Sequence, residues 1–525
     1  MWFQAYFPAI SQEDVSVWTA STIDRALSDS IRDAALSSIW GALCGGVFLT
    51  GFALNVLGAG PQHIGVLAAL PTLANLVQLL GSYLIEVTGD RKRLCLIAAC
   101  LQRSLWLVIV LLPFGIVPDA GDWRVWIMVA IVGISSVCGS LAGIAWTAWM
   151  SDVVPEHMRG AYFGKRNMIA SAAGLSATLA GGQLLSSWEQ LAGSSVQGGF
   201  VPLFGFGTLA GLVALWFLAR VPDRPETWHS GGSWDLRLFL EPWRDSNFLR
   251  LIGFAAATTF ALQLAAPFYG VYLIDVLRMD FSTITLLGAS STAATLVMMK
   301  LWGPIADHHG NRPIMIVCGS VLALVPLLWL LAKPGSQVVL PVLAAHILTG
   351  AASAGLSLSQ FNIQLKLSPR VGRSAYLAVF AATVGMAGGV APVIGGAIYQ
   401  ALLADFHLSF AGYAVTGYHV LFFVSMLLMI LCVGLVTALH EVGAAPPYAV
   451  ILQLRNDLDP QTGISSFMDF AMVEVQRSER FLKELDQMTD ELAARSERAV
   501  AGLLDRIVRV LERPWAKVKE FLRFS

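Results

Sequence analysis

The chain has 525 residues, 56% of them hydrophobic and only 13% charged, with a mean hydropathy of +0.66 and a formal net charge of −1. A water-soluble domain keeps about a quarter of its residues charged, so most of this surface faces something other than water. The near-zero charge offers no field for nucleic acid, and six cysteines scattered in apolar runs without metal-ligand spacing read as small buried hydrophobes.

Residues 1–30 read as a cytoplasmic N-terminal segment. Its opening, MWFQAYFPAISQEDV, carries acids and no basic stretch, so no cleavable signal peptide is expected. Six apolar runs follow near 34–56, 63–85, 94–117, 124–149, 164–187 and 201–220. Each comes near the roughly 20 residues that carry a helix across a hydrocarbon layer of about 30 Å. They make an N-terminal bundle over 31–220. A polar stretch with prolines and glycines over 221–248 reads as a cytoplasmic linker. Six more runs, near 249–274, 282–303, 313–332, 338–362, 375–403 and 413–439, make a C-terminal bundle over 249–440. The expected class is an all-α membrane protein with 12 transmembrane helices in two pseudo-symmetric six-helix bundles. Barrel strands are excluded, because the runs are too long and lack period-two alternation.

Charge sorts the loops. Those after even-numbered spans carry GDRKR (89–93), PEHMRGAYFGKR (155–166), DHHGNR (307–312) and SPRVGR (368–373), whereas those after odd-numbered spans are nearly free of Lys and Arg. The positive-inside rule then puts both termini in the cytoplasm, with a bacterial inner membrane as the expected location. The halves also echo each other. Pro155, Arg159, Ala161 and Tyr162 recur as Pro369, Arg373, Ala375 and Tyr376, and Glu86, Gly89 and Arg91 align with Asp307, Gly310 and Arg312. Matching loops at matching span positions indicate a duplicated six-helix unit.

From 441 to 525 the composition changes: 26 of these 85 residues are charged. FLKELDQMTDELAARSERAVAGLLDRIVRVLE (481–512) spaces its apolar residues as an amphipathic helix does, and PWAKVKEFLRF (514–524) sets aromatics against basic residues. This tail is expected to be cytoplasmic, packing on itself, meeting a protein partner or lying on the membrane surface.

The loop GPIADHHGNR, with Gly303, Asp307, Gly310 and Arg312, and its looser copy around Ser82, Glu86, Gly89 and Arg91 resemble the signature after spans two and eight of the major facilitator superfamily of secondary transporters. The resemblance covers about residues 30–440. It implies alternating access of one central site between two rocking bundles, lined by spans 1, 4, 7 and 10 with help from 2, 5, 8 and 11. It also implies a cytoplasmic latch drawn from Glu86, Asp90, Arg91, Arg159, Asp307, Arg312 and Arg373 that stabilises the outward-facing state. A small-molecule substrate, no cofactor, no enzymatic activity and a monomeric core are expected. An alternative is a transport-derived scaffold that recruits a cytoplasmic partner through the tail.

Polar side chains within spans are the substrate candidates, because each is costly in lipid unless it pairs or faces a cavity. They are Asn75 and Gln78 in span two, Gln263 and Tyr269 in span seven, and His346, Gln360 and Asn362 in span ten, with Trp146 of span four as a stacking surface. Arg103 sits about 16 Å along its helix from Lys92, too deep to snorkel easily. It either pairs inside its bundle or faces an aqueous cavity. No Asp or Glu is expected in the middle of any span, which removes the membrane carboxylate that proton-coupled members commonly use.

Overall fold

The computed structural model describes residues 20–78, 80–81, 84–85, 90–112, 123–154, 159–192, 197–223, 240–332, 339–369, 373–404, 406–410 and 413–457. The amphipathic segments expected over 481–512 and 514–524 lie outside these residues, as do Glu86 and most of the linker.

Among the described residues, eleven helices are long and apolar enough to cross a membrane. They are Thr22–Asn55, Arg91–Leu111, Trp123–Met150, Tyr162–Trp188, Gly198–Arg220, Ser246–Val276, Phe281–His309, Asn311–Leu331, Val339–Leu367, Ala375–Leu403 and Gly417–Thr437. They correspond to expected spans one and three to twelve. The second span is described as a helix over Pro61–Ala74, a tighter turn over Asn75–Val77, and further helical residues at 78, 80–81 and 84–85. Pro71 within that helix lacks an amide hydrogen, so the regular ladder is interrupted one turn before the change of pitch. The outward faces are apolar. Phe206, Leu209, Val213 and Trp216 recur every three or four residues and stand exposed, a stripe suited to lipid contact. Five cysteines are buried, and Cys100 alone of the six is exposed.

The two halves repeat one packing scheme. In the first, span one packs on five and six, span three on four and six, and span two on four. Adding six to each number gives the pairs of the second half: seven on eleven and twelve, nine on ten and twelve, and eight on ten. Contacts between the halves, span two on eleven and span five on eight, are exchanged by the same relation. A short antiparallel hairpin, His407–Phe410 with Tyr413–Thr416, joins spans eleven and twelve.

The first helix departs from expectation. It begins at Ala20 rather than near 34, inside the segment expected to precede the bundle. It is broken at Cys44–Gly45, between Ala20–Leu43 and Gly46–Asn55, with Gly46 at φ +52° in the left-handed region that glycine adopts freely. The early start brings Asp29 and Asp33 into the bundle interior, 1% and 3% exposed. The expectation that no carboxylate lies within a span therefore does not hold.

The chain divides into two units, residues 1–447 and 448–525, the second described only over 448–457. The first extends past span twelve because Glu441 is anchored. Its carboxylate accepts hydrogen bonds from the backbone amides of Asn311 (2.9 Å) and Arg312 (2.7 Å), from the Asn311 side chain (3.0 Å) and from Lys366 Nζ (3.0 Å). It thus caps the exposed amides and positive dipole end of span nine. Gly310 turns the chain just before, at φ +85°, where a Cβ would stand 3.2 Å from Glu441 Oε2. Burial by itself would raise the Glu441 pKa; the donors from Arg312, Asn311 and Lys366 outweigh it and hold the carboxyl below the usual carboxylate range. A depressed pKa stabilises the fold fully above the unfolded value and loses that contribution as pH falls through the folded value. Glu441→Gln is accordingly expected to cost about 1–3 kcal/mol at neutral pH and to flatten the acid limb of thermal stability, read by melting purified protein between pH 7 and pH 3.

Candidate functional site

A cavity of about 1130 Å³ lies between the halves and takes its walls from both. Its position follows from interruptions in the helices around it. The Cys44–Gly45 break of span one and the tight turn at Asn75–Val77 both border it, and so do Pro71, Pro267 and Pro326, each inside a helix. Irregular backbone at membrane depth is tolerated where it lines a cavity, and it is where transporters place their substrate sites.

Five of the sequence candidates come together here: Asn75, Gln78, Gln263, Tyr269 and His346. Asn75 Oδ1 accepts hydrogen bonds from Gln78 Nε2 (3.2 Å) and Ser140 Oγ (2.9 Å), tying span two to span four. Tyr269 stacks on Trp329 at 4.4 Å, and His346 sits 5.6 Å from the same indole with Nδ1 2.9 Å from the Val342 carbonyl. Gln360 and Asn362 are half-buried and are not among the lining residues.

Trp146 and Arg103 are not among them either, and the structure shows what occupies them. The Arg166 guanidinium stacks over Trp146 at 4.0 Å. Arg103, 6% exposed, donates to the Gly211 carbonyl and to Ser37 Oγ at 2.7 Å each, and lies 3.7 Å from Asp33. Ser37 in turn donates its hydroxyl hydrogen bond to Asp33 Oδ1 at 3.0 Å, and Arg166 approaches the second Asp33 oxygen at 3.9 Å. Both terminal nitrogens of the deep arginine are thus engaged inside the first bundle, away from the cavity wall.

Sequence reasoning missed several wall residues. Gln102 and Trp106 come from span three, which is not among the spans the resemblance implied, and Trp40 and Trp329 from spans one and nine. Trp106 Nε1 donates to Ser135 Oγ, which donates to the Gln102 carbonyl, each at 3.2 Å. Gly139, having no side chain, leaves the space that the Gln102 amide fills. Of the spans the resemblance implied, one, two, four, five, seven, eight and ten contribute; three, nine and twelve contribute as well.

The halves close against each other at the end that carries Asn55–Pro61, Val276–Phe281 and Leu403–Gly417. Phe281 inserts beside Phe48 (6.3 Å) and Phe200 (5.6 Å) over Gly51. Ser282 donates its amide to Ser186 Oγ (3.0 Å) and its hydroxyl to Gln183 (3.1 Å), and Ser186 donates to Asp280 at 3.4 Å. Burial opposes the Asp280 charge, but hydrogen bonds from Thr283 and Ser186 keep its pKa below the ordinary value. Spans two and eleven meet glycine to backbone: any Cβ on Gly65 would overlap the Pro392 carbonyl, and one on Gly396 would lie 2.8 Å from the Pro61 carbonyl. At the opposite end, two of the latch candidates, Asp90 and Arg312, bond within their own halves. Asp90 caps its helix through Arg93 (3.1 Å), and Arg312 bonds the Thr437 carbonyl (2.7 Å). Asp307 is exposed, Arg91 opens span three, and Arg159 and Arg373 begin spans five and eleven.

The family model for the Major Facilitator Superfamily matches residues 34–274 and 251–448. No curated protein sequence matches the chain. Among solved structures, the chain is similar to the nucleoside transporter NupG (12% identity, TM-score 0.59, 80% of this chain and 98% of that one). It is also similar to a bacterial homologue of the iron transporter ferroportin in an inward-facing state (16%, 0.56, 80% and 99%) and to the xylose transporter XylE from E. coli in a partially occluded inward-open conformation (15%, 0.56, 80% and 98%).

Proposed function

The chain belongs to the Major Facilitator Superfamily, and on that footing we propose that it moves a small solute across a bacterial inner membrane by alternating access. The observation that carries this reading is the central cavity, walled by both halves and bounded at one end by the seam of Gly65, Gly396, Phe281 and Ser282. Rocking residues 31–220 against 249–440 would open that seam and close the opposite end. The basic loops lie at the opposite end, so the charge rule makes that end cytoplasmic and the present state inward-facing. In this reading the termini and the 441–525 tail are cytoplasmic and the core acts as a monomer. The solved structures it resembles include a nucleoside transporter, a homologue of an iron transporter and a xylose transporter, which fits a small solute as cargo.

Gln263 is proposed as a substrate contact, with Asn75 and Gln78 across the cavity. Purified protein is expected to be stabilised against heat by its solute and to exchange that solute across proteoliposome membranes. In Gln263→Ala the stabilisation should fall at least tenfold in apparent affinity, about the 1–3 kcal/mol of one buried polar contact. Unchanged affinity would remove Gln263 from the site.

A further inference from the structure

Resting on the transport reading, we infer that the solute is an uncharged, hydroxyl-bearing ring compound of the monosaccharide or nucleoside kind. Among the described residues that line the cavity there is no Asp, Glu, Lys or Arg, although Asp, Lys and Arg occur elsewhere in the membrane helices. His346 is the one histidine among these lining residues. The nearest deep charges are accounted for: Arg103 is turned to Gly211, Ser37 and Asp33, and Arg166 to Asp33 and Trp146. A charged solute would leave water without a partner charge, a transfer that is expensive in a low-dielectric site.

What the walls do offer is neutral and two-sided. Asn75, Gln78, Gln102 and Gln263 come from three spans in two halves, and each carboxamide both donates and accepts. Hydroxyl groups also do both, so a ring bearing several of them can be satisfied without regard to charge. The remaining surface is aromatic. Trp40 and Trp106 meet edge-on at 6.2 Å on the first half's side, and Tyr269 and Trp329 stack at 4.4 Å on the other. Indole faces suit the C–H face of a sugar or the face of a base, and the flanking amides then fix its orientation.

The test is thermal stabilisation of the purified full-length chain by matched sets: glucose, ribose and xylose beside glucose 6-phosphate, glucuronate and glucosamine, and uridine and adenosine beside their 5′-monophosphates. At least one neutral member is expected to stabilise the protein with tenfold or greater preference over its charged counterparts, and Gln102→Ala or Gln263→Ala should abolish that preference's neutral arm. Sugars against nucleosides then separate the two kinds of ring. Stabilisation by a charged member equal to or above its neutral counterpart overturns the inference, and so does a panel in which no neutral member binds. A neutral binder that shows no counterflow in proteoliposomes supports the inference about solute class and overturns the transport reading alone.

Discussion

Gly65→Ala is expected to reduce solute flux at least tenfold while leaving the protein folded and monodisperse. Gly65 faces the Pro392 carbonyl so closely that one added methyl carbon overlaps a backbone oxygen, which has no rotamer through which to yield. Overpacking a close contact costs about 1–3 kcal/mol, or roughly a factor of 5 to 150 in the population of the closed seam. The cost falls on one state of the cycle, because the contact joins spans two and eleven across the halves and is relieved when they separate. The variant should therefore favour the state open at this end. Single-turnover flux in proteoliposomes and alkylation of a cysteine introduced at Gln263 from each side would read the two consequences. Equal flux and equal accessibility would show that this seam does not gate the cavity.

Arg103→Gln is expected to destabilise the protein by about 3–5 kcal/mol, the cost of removing one partner of a buried ion pair. Asp33 would keep only Ser37 and the more distant Arg166 at 3.9 Å, inside a bundle that excludes water. Asp33→Asn with Arg103→Gln should recover much of the loss, because neither charge is then left uncompensated. The melting midpoint checks the magnitude and the double-mutant cycle checks the coupling. Solute affinity in the surviving folded fraction should stay within twofold of the parent, since neither residue borders the cavity. A selective loss of affinity with unchanged melting would place the pair in the transport site instead.

Much of the scaffold was readable because the membrane simplifies the physics. Runs of about 20 apolar residues mark the spans, and the echo of Arg159 in Arg373 marks the duplication that the packing pairs repeat. Asn75, Gln78, Gln263, Tyr269 and His346 were found on the same logic, since a polar group in a span must face something polar. That logic fails where polar groups satisfy each other. Asp24, Arg25, Asp29, Arg32 and Asp33 make the start of span one look like a loop, although Asp29 and Asp33 are paired inside the bundle. A residue-by-residue hydropathy reading cannot see that a carboxylate has found an arginine 70 positions away. Gly45 and Gly46 were legible as small residues but not as a helix break, and Gln102 points at the cavity only because Gly139 makes room for it. The seam of Phe281, Ser186 and Asp280 depends wholly on how two bundles meet, which no local pattern encodes.

The central claim is that the two ends of one cavity open in alternation. Its most direct test is a pair of spin-label distances in protein whose six cysteines have been replaced: Gln62→Cys with Leu402→Cys across the closed end, and Arg93→Cys with His308→Cys across the other. On adding the solute that stabilises the protein, the first distance should lengthen and the second shorten in the same fraction of molecules. Distances that both stay fixed, or both move the same way, while the solute is being exchanged across the bilayer would contradict the account.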